Sequence, residues 1–217
     1  MHSNLTIIHF EYLILHSYLI NPVNKLPHSF YTRPTLDVAK DLLGKILVRK
    51  TGRFTLSGKI VEVEAYLGSK DPASHAYRGM TKRNEVMFRQ GGLLYVYFTY
   101  GMHFCANIVT EREGIAGAVL LRAIEPMEGI EVMMRKRKLS AKTANAFSLT
   151  NGPAKLCQAL GIGGEQNGTD LSGDEVFLRD AEIISSSAIG ISRRIGIRLA
   201  TVKRWRFFIK ANQWVSK

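Results

Sequence analysis

Cysteine is nearly absent from this 217-residue chain, with only Cys105 and Cys157 present. Two thiols are too few for a disulfide framework or a four-thiolate cluster, and they fit a reducing, cytosol-like compartment. Carboxylates are absent from one end. None follows Glu182, whereas Arg193, Arg194, Arg198, Lys203, Arg204, Arg206, Lys210 and Lys217 do. Lys and Arg are absent from the other end as far as Lys25. A long unbroken apolar run is missing too. His9, Glu11 and His16 interrupt residues 5–20 and no basic segment precedes them, so this stretch reads as neither a signal peptide nor a membrane span. Internal repeats, long linkers and low-complexity tracts are also missing, which favours one α+β domain.

What is present begins with charge. Thirty Lys and Arg against eighteen Asp and Glu give +12, on an ordinary globular composition of 46% hydrophobic residues. Such an excess suits a polyanionic partner, because each cation placed on a phosphate releases condensed counterions. A generally basic solvated surface gives the same composition, and an anionic membrane surface is the lesser alternative. Nucleic acid is favoured by the two basic clusters, residues 193–210 and Arg135, Lys136, Arg137, Lys138 and Lys142. Trp205, Phe207, Phe208 and Trp214 interleave the first cluster, and their strand-like alternation makes them core residues before base-stacking ones. Residues 1–28 read as an extension. Its His2, His9 and His16 recur every seven residues, but nothing completes a metal-ligand set around them.

The folded unit is expected from about residue 29 to 217. Thr35 is placed to cap a helix carrying Leu36, Ala39, Leu42 and Leu43, with Gly44 as its stop. Strands are expected at 46–48 and, after a turn-rich gap, at 59–66. Residues 69–92 form a long polar loop of the kind that carries function. Strands at 93–100 and 104–110 join tightly at Gly101-Met102, and another apolar strand covers 117–124. Helices are expected over 128–138 and from an Asn151 cap to Leu160, before a return to strands.

The chemistry-bearing residues sit on these strands. A period of two in 59–66 puts Ile60, Glu62, Glu64 and Tyr66 on one face, either a wetted edge or a carboxylate base beside an aromatic platform. Tyr95 and Tyr97 share a face, as do Cys105 and Asn107. Tyr100, Met102 and His103 occupy a hairpin tip, where large side chains suggest an inserted wedge rather than core. Arg122, alone in an apolar strand, needs a carboxylate that Glu64 or Glu62 could supply. His75 adds an imidazole from the long loop.

Taken together, the run Ile60-Val61-Glu62-Val63-Glu64-Ala65-Tyr66-Leu67-Gly68, then Asp71, His75, Arg83-Asn84, Tyr95-Val96-Tyr97, Tyr100-Gly101-Met102, Asn107 and Leu120-Leu121-Arg122-Ala123 resembles the alkyladenine (3-methyladenine) DNA glycosylase family. Gly152-Pro153-Ala154-Lys155-Leu156, Arg194-Ile195-Gly196-Ile197, Trp205-Arg206-Phe207 and Val215-Ser216 continue the likeness in order. Lys203-Arg204, where the family usually has a proline, and residues 198–202 depart from it. The resemblance implies an α+β fold: a single compact domain with a mixed, largely antiparallel curved sheet, flanking helices and a protruding hairpin that inserts into DNA. It implies a monofunctional, monomeric enzyme that flips alkylated or deaminated purines from double-stranded DNA and hydrolyses the N-glycosidic bond. No metal or cofactor is implied. The compartment would be the bacterial cytoplasm or, in a eukaryote, the nucleus. Residue by residue, Glu64 matches the general base, and Arg122, with backbone near Val63, holds its water. Tyr66, His75, Tyr97 and Asn107 form the base pocket, and Tyr100, Met102 and His103 the intercalating tip. A non-catalytic damage-binding module and an RNA-binding domain remain as rivals.

Overall fold

β2 (Phe54–Tyr66) is the spine of the molecule. It is flanked along one edge by β5 (Gly117–Glu128), and along the other by β1 (Ile46–Thr51) and then β8 (Arg206–Ile209). With β3 (Leu94–Thr99), β4 (His103–Thr110) and β6 (Val176–Arg179) the order is β3-β4-β5-β2-β1-β6, and β7 (Ile189–Ser192) extends β8. All of these pairings are antiparallel, and the sheet curls on itself in an α+β fold. The computed structural model describes residues 24–140 and 146–216. His2, His9, His16, the apolar stretch 5–20, Lys142 and Lys217 lie outside the described residues. Within them, no helix is long and apolar enough to cross a membrane.

Alternation sorts the central strands into two faces. Val63, Ala65, Leu94, Val96, Ala106, Ile108, Val119 and Leu121 point into the main core. There they meet Val38, Ala39, Leu42 and Leu43 from the segment of α2 (Thr35–Asp41), and Leu156, Cys157, Ala159 and Leu160 of α4 (Pro153–Leu160). Each fully buried Val, Leu or Ile among these contributes roughly 1.5–3 kcal/mol through removal from water. A short α1 (His28–Tyr31) and α3 (Ile130–Lys136) complete the helices. Asn24 and Leu26 run beside β6, where Leu26 N–H donates to Leu178 O at 3.0 Å and Asp180 N–H to Asn24 O at 2.7 Å.

Several local expectations need correction. Thr35 is the first helical residue and not the cap. Its N–H is taken by Glu111 Oε1 at 2.7 Å, so the cap comes from a residue 76 positions away that no local pattern reveals. Asn151 does not cap α4 either. Gly152 holds the cap position, Pro153 supplies a pre-set φ at the first turn, and Asn151 Oδ1 accepts from Lys155 at 2.8 Å. Residues 128–129 belong to the strand and its turn, and α3 starts at Ile130. The supposed turn-rich gap is a hairpin: Thr51 pairs with Phe54 around a two-residue turn in which Gly52 takes φ +54°.

The most consequential departure is in β2. Its pairing with β5 runs Ile60–Ile124, Glu62–Ala123, Val63–Leu121, so Val61 and Arg122 are each skipped. This irregularity reverses the alternation, and Ile60 turns into the core with Val63 and Ala65 instead of standing beside Glu62 and Glu64. Arg122 is thereby released from a regular partner opposite both carboxylates.

Candidate active site

The face of the sheet opposite the core forms the floor of a cavity of about 570 Å³, a size usual for small-molecule pockets. Tyr66 (β2), Tyr95 and Tyr97 (β3), Asn107 (β4) and Arg122 (β5) line it. The loop between β2 and β3 brings His75, Arg83 and Met87, residues 195–199 close a third side, and Tyr100 stands at the mouth.

Buried polar pegs hold both loops. Asp71 accepts from its own loop at Ala73 N–H (3.2 Å) and receives both Nη atoms of Arg194. Arg194 also donates to Ala65 O (2.9 Å) and lies over the Tyr66 ring at 4.5 Å and the Trp205 ring at 5.1 Å. Asn84, 1% exposed, bridges His75 O (2.8 Å), Gly79 O (3.0 Å) and Thr81 N–H (2.6 Å). These bonds give a nominally irregular loop the backbone satisfaction a sheet would otherwise provide.

Glu64 lies immediately behind the cavity wall, with no exposed surface. Oε2 accepts from Tyr66 Oη at 2.8 Å. Oε1 accepts from Ile195 N–H at 2.7 Å, with Arg122 Nη1 at 3.2 Å. All three of these neighbours do line the cavity. Glu62, two residues earlier, is equally buried but better paired, with Arg122, Arg206 and Ser216 around it. Their titration diverges accordingly. Burial pushes the Glu64 carboxyl above its ordinary value and outweighs Arg122 and the two hydrogen bonds. Burial pushes Glu62 the same way, but Arg122, Arg206 and Ser216 overcome it and hold that carboxyl low. Two neighbouring carboxylates pushed apart in this way make Glu64 the candidate for acid–base work and Glu62 its paired, ionised neighbour.

The aromatic walls are close to one another. His75 meets Tyr97 edge-on at 4.5 Å, and its Nδ1 sits 3.0 Å from Tyr95 Oη. Burial, and then the nearby Arg83 charge, lower the His75 pKa, which favours the neutral ring. Asn107 is 4% exposed, and its Nδ2 donates to the carbonyl of its cross-strand partner Tyr95 at 3.0 Å. The β3–β4 tip projects: Tyr100 is 81% exposed and Met102 70%. Tyr100 adopts φ +51°, rare for a side chain of this size, followed by Gly101 at +68°.

The structure therefore brings Tyr66, His75, Tyr97, Asn107 and Arg122 to one cavity, with Glu64 one layer behind. Met102 and His103 share the tip with Tyr100 without lining the cavity. Val63 is paired on both sides, with Leu121 and Phe207, and the backbone group that reaches Glu64 is the Ile195 N–H. Within the basic C-terminal run, Arg194 and Arg206 turn inward to buried carboxylates, while Arg193, Arg198 and Lys203 stay exposed. Phe207, Trp205 and Trp214 pack on the core. The residues missed as site components are Asp71, Arg194, Ile195, Arg206 and Ser216. For the two arginines there was a signal: Glu62, Glu64 and Asp71, if buried, need cations, and one arginine on β5 cannot serve three carboxylates. Among the described residues no three of His, Cys, Asp or Glu come together as a metal site requires, and the two cysteines, both buried, are free.

The family model described as methylpurine-DNA glycosylase matches residues 29–213. A protein of Prosthecochloris aestuarii named "Putative 3-methyladenine DNA glycosylase" is 50% identical over 196 residues, 90% of this chain and 92% of its own. Proteins of the same name from Chlorobaculum parvum and Clostridium perfringens are 52% and 47% identical, over 89% of this chain and 91% and 99% of theirs. With the motif-bearing strands, both loops and the hairpin all inside the matched span, this chain belongs to the methylpurine-DNA glycosylase family.

Proposed function

We propose that this glycosylase acts on alkylated or deaminated purines in duplex DNA, turning the damaged nucleotide into the cavity and hydrolysing its N-glycosidic bond with a water activated by Glu64. Family membership makes it a DNA glycosylase, a hydrolase of DNA repair. The observation that carries the finer reading is a buried carboxylate of raised pKa, paired to Arg122, directly behind a cavity walled by Tyr66, Tyr97 and His75.

In this mechanism the base leaves the stack at a cost of a few kcal/mol, and stacking on aromatic walls returns roughly 1–3 kcal/mol. A purine alkylated at N3 or N7 is cationic. It gains further from electron-rich rings and meets a neutral His75 rather than a second cation. As the C1′–N bond breaks, the sugar acquires oxocarbenium character. Water adds to C1′, Glu64 takes its proton, and the purine departs with the bonding electrons, leaving an abasic site. Because Glu64 is occluded, the reaction also needs Tyr66 Oη or the Ile195 segment to yield an oxygen of the carboxylate to water. Tyr100, with Met102 and His103 beside it, would fill the gap left in the duplex, and Asn107 would oppose the 2-amino group of guanine.

The test is single-turnover release of 3-methyladenine, 7-methylguanine, hypoxanthine and ethenoadenine from otherwise identical duplexes, by wild type and Glu64→Gln. Wild-type release lost in the variant, with lesion binding kept within a few fold, is the expected result. Binding without release in wild type would make this a damage-binding module. Preference for structured RNA in competition would make it an RNA-binding domain.

A further inference from the structure

The Glu62 carboxylate is surrounded by donors drawn from three distant parts of the chain. Arg122 Nε (2.8 Å), Arg206 Nε (2.7 Å) and Ser216 Oγ (2.8 Å) all reach Oε1, while Ser216 N–H holds Oε2 at 2.6 Å. Ser216 Oγ also accepts from Arg122 Nη2 at 3.2 Å, and Arg206 Nη2 donates back to Ser216 O at 3.2 Å. Glu62 and Glu64 are fully buried, and Arg122, Arg206 and Ser216 nearly so.

An arginine beside a carboxylate ordinarily takes both of its oxygens, two parallel bonds being the favoured geometry. Here it does not: Arg122 bonds Oε1 alone, through Nε, while Oε2 is held by the Ser216 amide. Arg122 is left with Nε on Glu62 and Nη2 on the Ser216 hydroxyl, so its remaining nitrogen, Nη1, faces Glu64 at 3.2 Å. We propose that Ser216 and Glu62 are positioning residues for base excision: together they fix the plane of the Arg122 guanidinium and keep its third nitrogen for Glu64 and the water that Glu64 activates. This rests on the assignment of Glu64 as the base. The C-terminal segment thereby completes the reactive site without lining the cavity. A planar group held at three corners retains its aim when the site opens to substrate, whereas one held at a single corner can rotate.

The groups facing Glu64 fix the sign of a pH test. Arg122 approaches from β5, Glu62 and Tyr66 from its own strand, Tyr97 from β3, and Ile195 N–H from the segment that Arg194 anchors, while Arg206 stands opposite on β8. Of these only Glu62 adds negative charge.

The experiment measures single-turnover release of 7-methylguanine by the full chain carrying Ser216→Ala, Ser216→Thr or Glu62→Gln, with lesion-duplex binding and thermal stability followed in parallel. Ser216→Ala keeps the amide bond to Oε2 but loses the hydroxyl. It should slow release by about tenfold or more, as a misaimed group does, with binding within about threefold. Ser216→Thr, which restores the hydroxyl, should recover most of the rate. Glu62→Gln should move the acid limb of the pH–rate profile downward by at least about half a unit, because the like charge beside Glu64 is removed. Wild-type release by Ser216→Ala overturns the proposal. So does a loss of rate, binding and stability in step without rescue by threonine, or an acid limb that stays put or rises in a folded Glu62→Gln. Glu64→Gln, assayed alongside, separates the two levels. If it still releases base, the assignment of the base itself fails. If it is inactive while Ser216→Ala is normal, the clamp alone fails.

Discussion

Arg194 grips Asp71 with both terminal nitrogens, and neither side chain has any solvent-exposed surface. This pair joins the loop that carries His75 to the segment that carries Ile195, so two walls of the cavity share one anchor. Removing one partner leaves the other charge buried alone. Asp71→Asn and Arg194→Met should each destabilise the protein by about 3–5 kcal/mol in urea unfolding. Arg194→Lys should recover only part of this, since a lysine cannot span both oxygens or stack on Tyr66 and Trp205. A loss below about 1 kcal/mol for all three would mean that the pair does not hold the loops.

Much of this site was legible in the sequence because strand alternation is local. The partition of Tyr95 and Tyr97 from Leu94 and Val96, and of Cys105 and Asn107 from Ala106 and Ile108, follows from a period of two. The tip at Gly101 follows from turn chemistry. What failed to show was non-local. The irregular pairing at Val61 and Arg122 leaves no mark in either strand alone, yet it decides that Ile60 is core and that Arg122 meets two carboxylates. The same holds for Glu111 capping α2 and for Ser216 clamping Glu62, contacts across 76 and 154 residues. The inward turn of Arg194 and Arg206 also defeats a charge count, which treats every arginine as surface.

Activity should depend on pH through Glu64. Burial raises its carboxyl above the ordinary glutamate range, and only the ionised form can accept a proton from water. Release of 7-methylguanine, whose departure needs no acid, should therefore fall as pH drops through a limb lying above the ordinary glutamate range. The stability linkage has opposite signs at the two carboxylates. Raised Glu64 contributes stability in its protonated form, lost as pH rises through its folded value. Lowered Glu62 contributes above its unfolded value, lost as pH falls through its folded one. A rate profile flat down to pH 4 would exclude Glu64 as the titrating base.

Tyr100 should show stability and binding moving in opposite directions. Its φ of +51° is uncomfortable for any residue with a Cβ, and its side chain is almost wholly exposed. Tyr100→Gly should therefore stabilise the free protein by roughly 1 kcal/mol. The same variant should lose affinity for a lesion in duplex DNA and keep it for the lesion in single-stranded DNA, because a wedge matters only where a partner base would reclaim the flipped one. Equal losses on both substrates would make Tyr100 a general contact and not a wedge.

Asn107 gives the sharpest test of selectivity, because its structural and discriminating roles make different demands. It lines the cavity together with Cys105 and Arg122, and its amide is held against Tyr95 O at 3.0 Å. That bond orients the side chain, and an oriented amide makes a rigid obstacle. Guanine differs from hypoxanthine by a 2-amino group, which such an obstacle would crowd. Asn107→Ser shortens the side chain and opens the space. Excision of guanine relative to hypoxanthine should then rise by at least about tenfold, the scale on which crowding and unpaired hydrogen bonds discriminate. The lost bond to Tyr95 should itself cost about 1 kcal/mol of stability. If Asn107 serves only to brace β3 against β4, release of every base should fall together and the ratio should not move. Measuring both bases with a variant of known melting temperature separates the outcomes, and an unchanged ratio in a folded Asn107→Ser enzyme would remove Asn107 from selectivity.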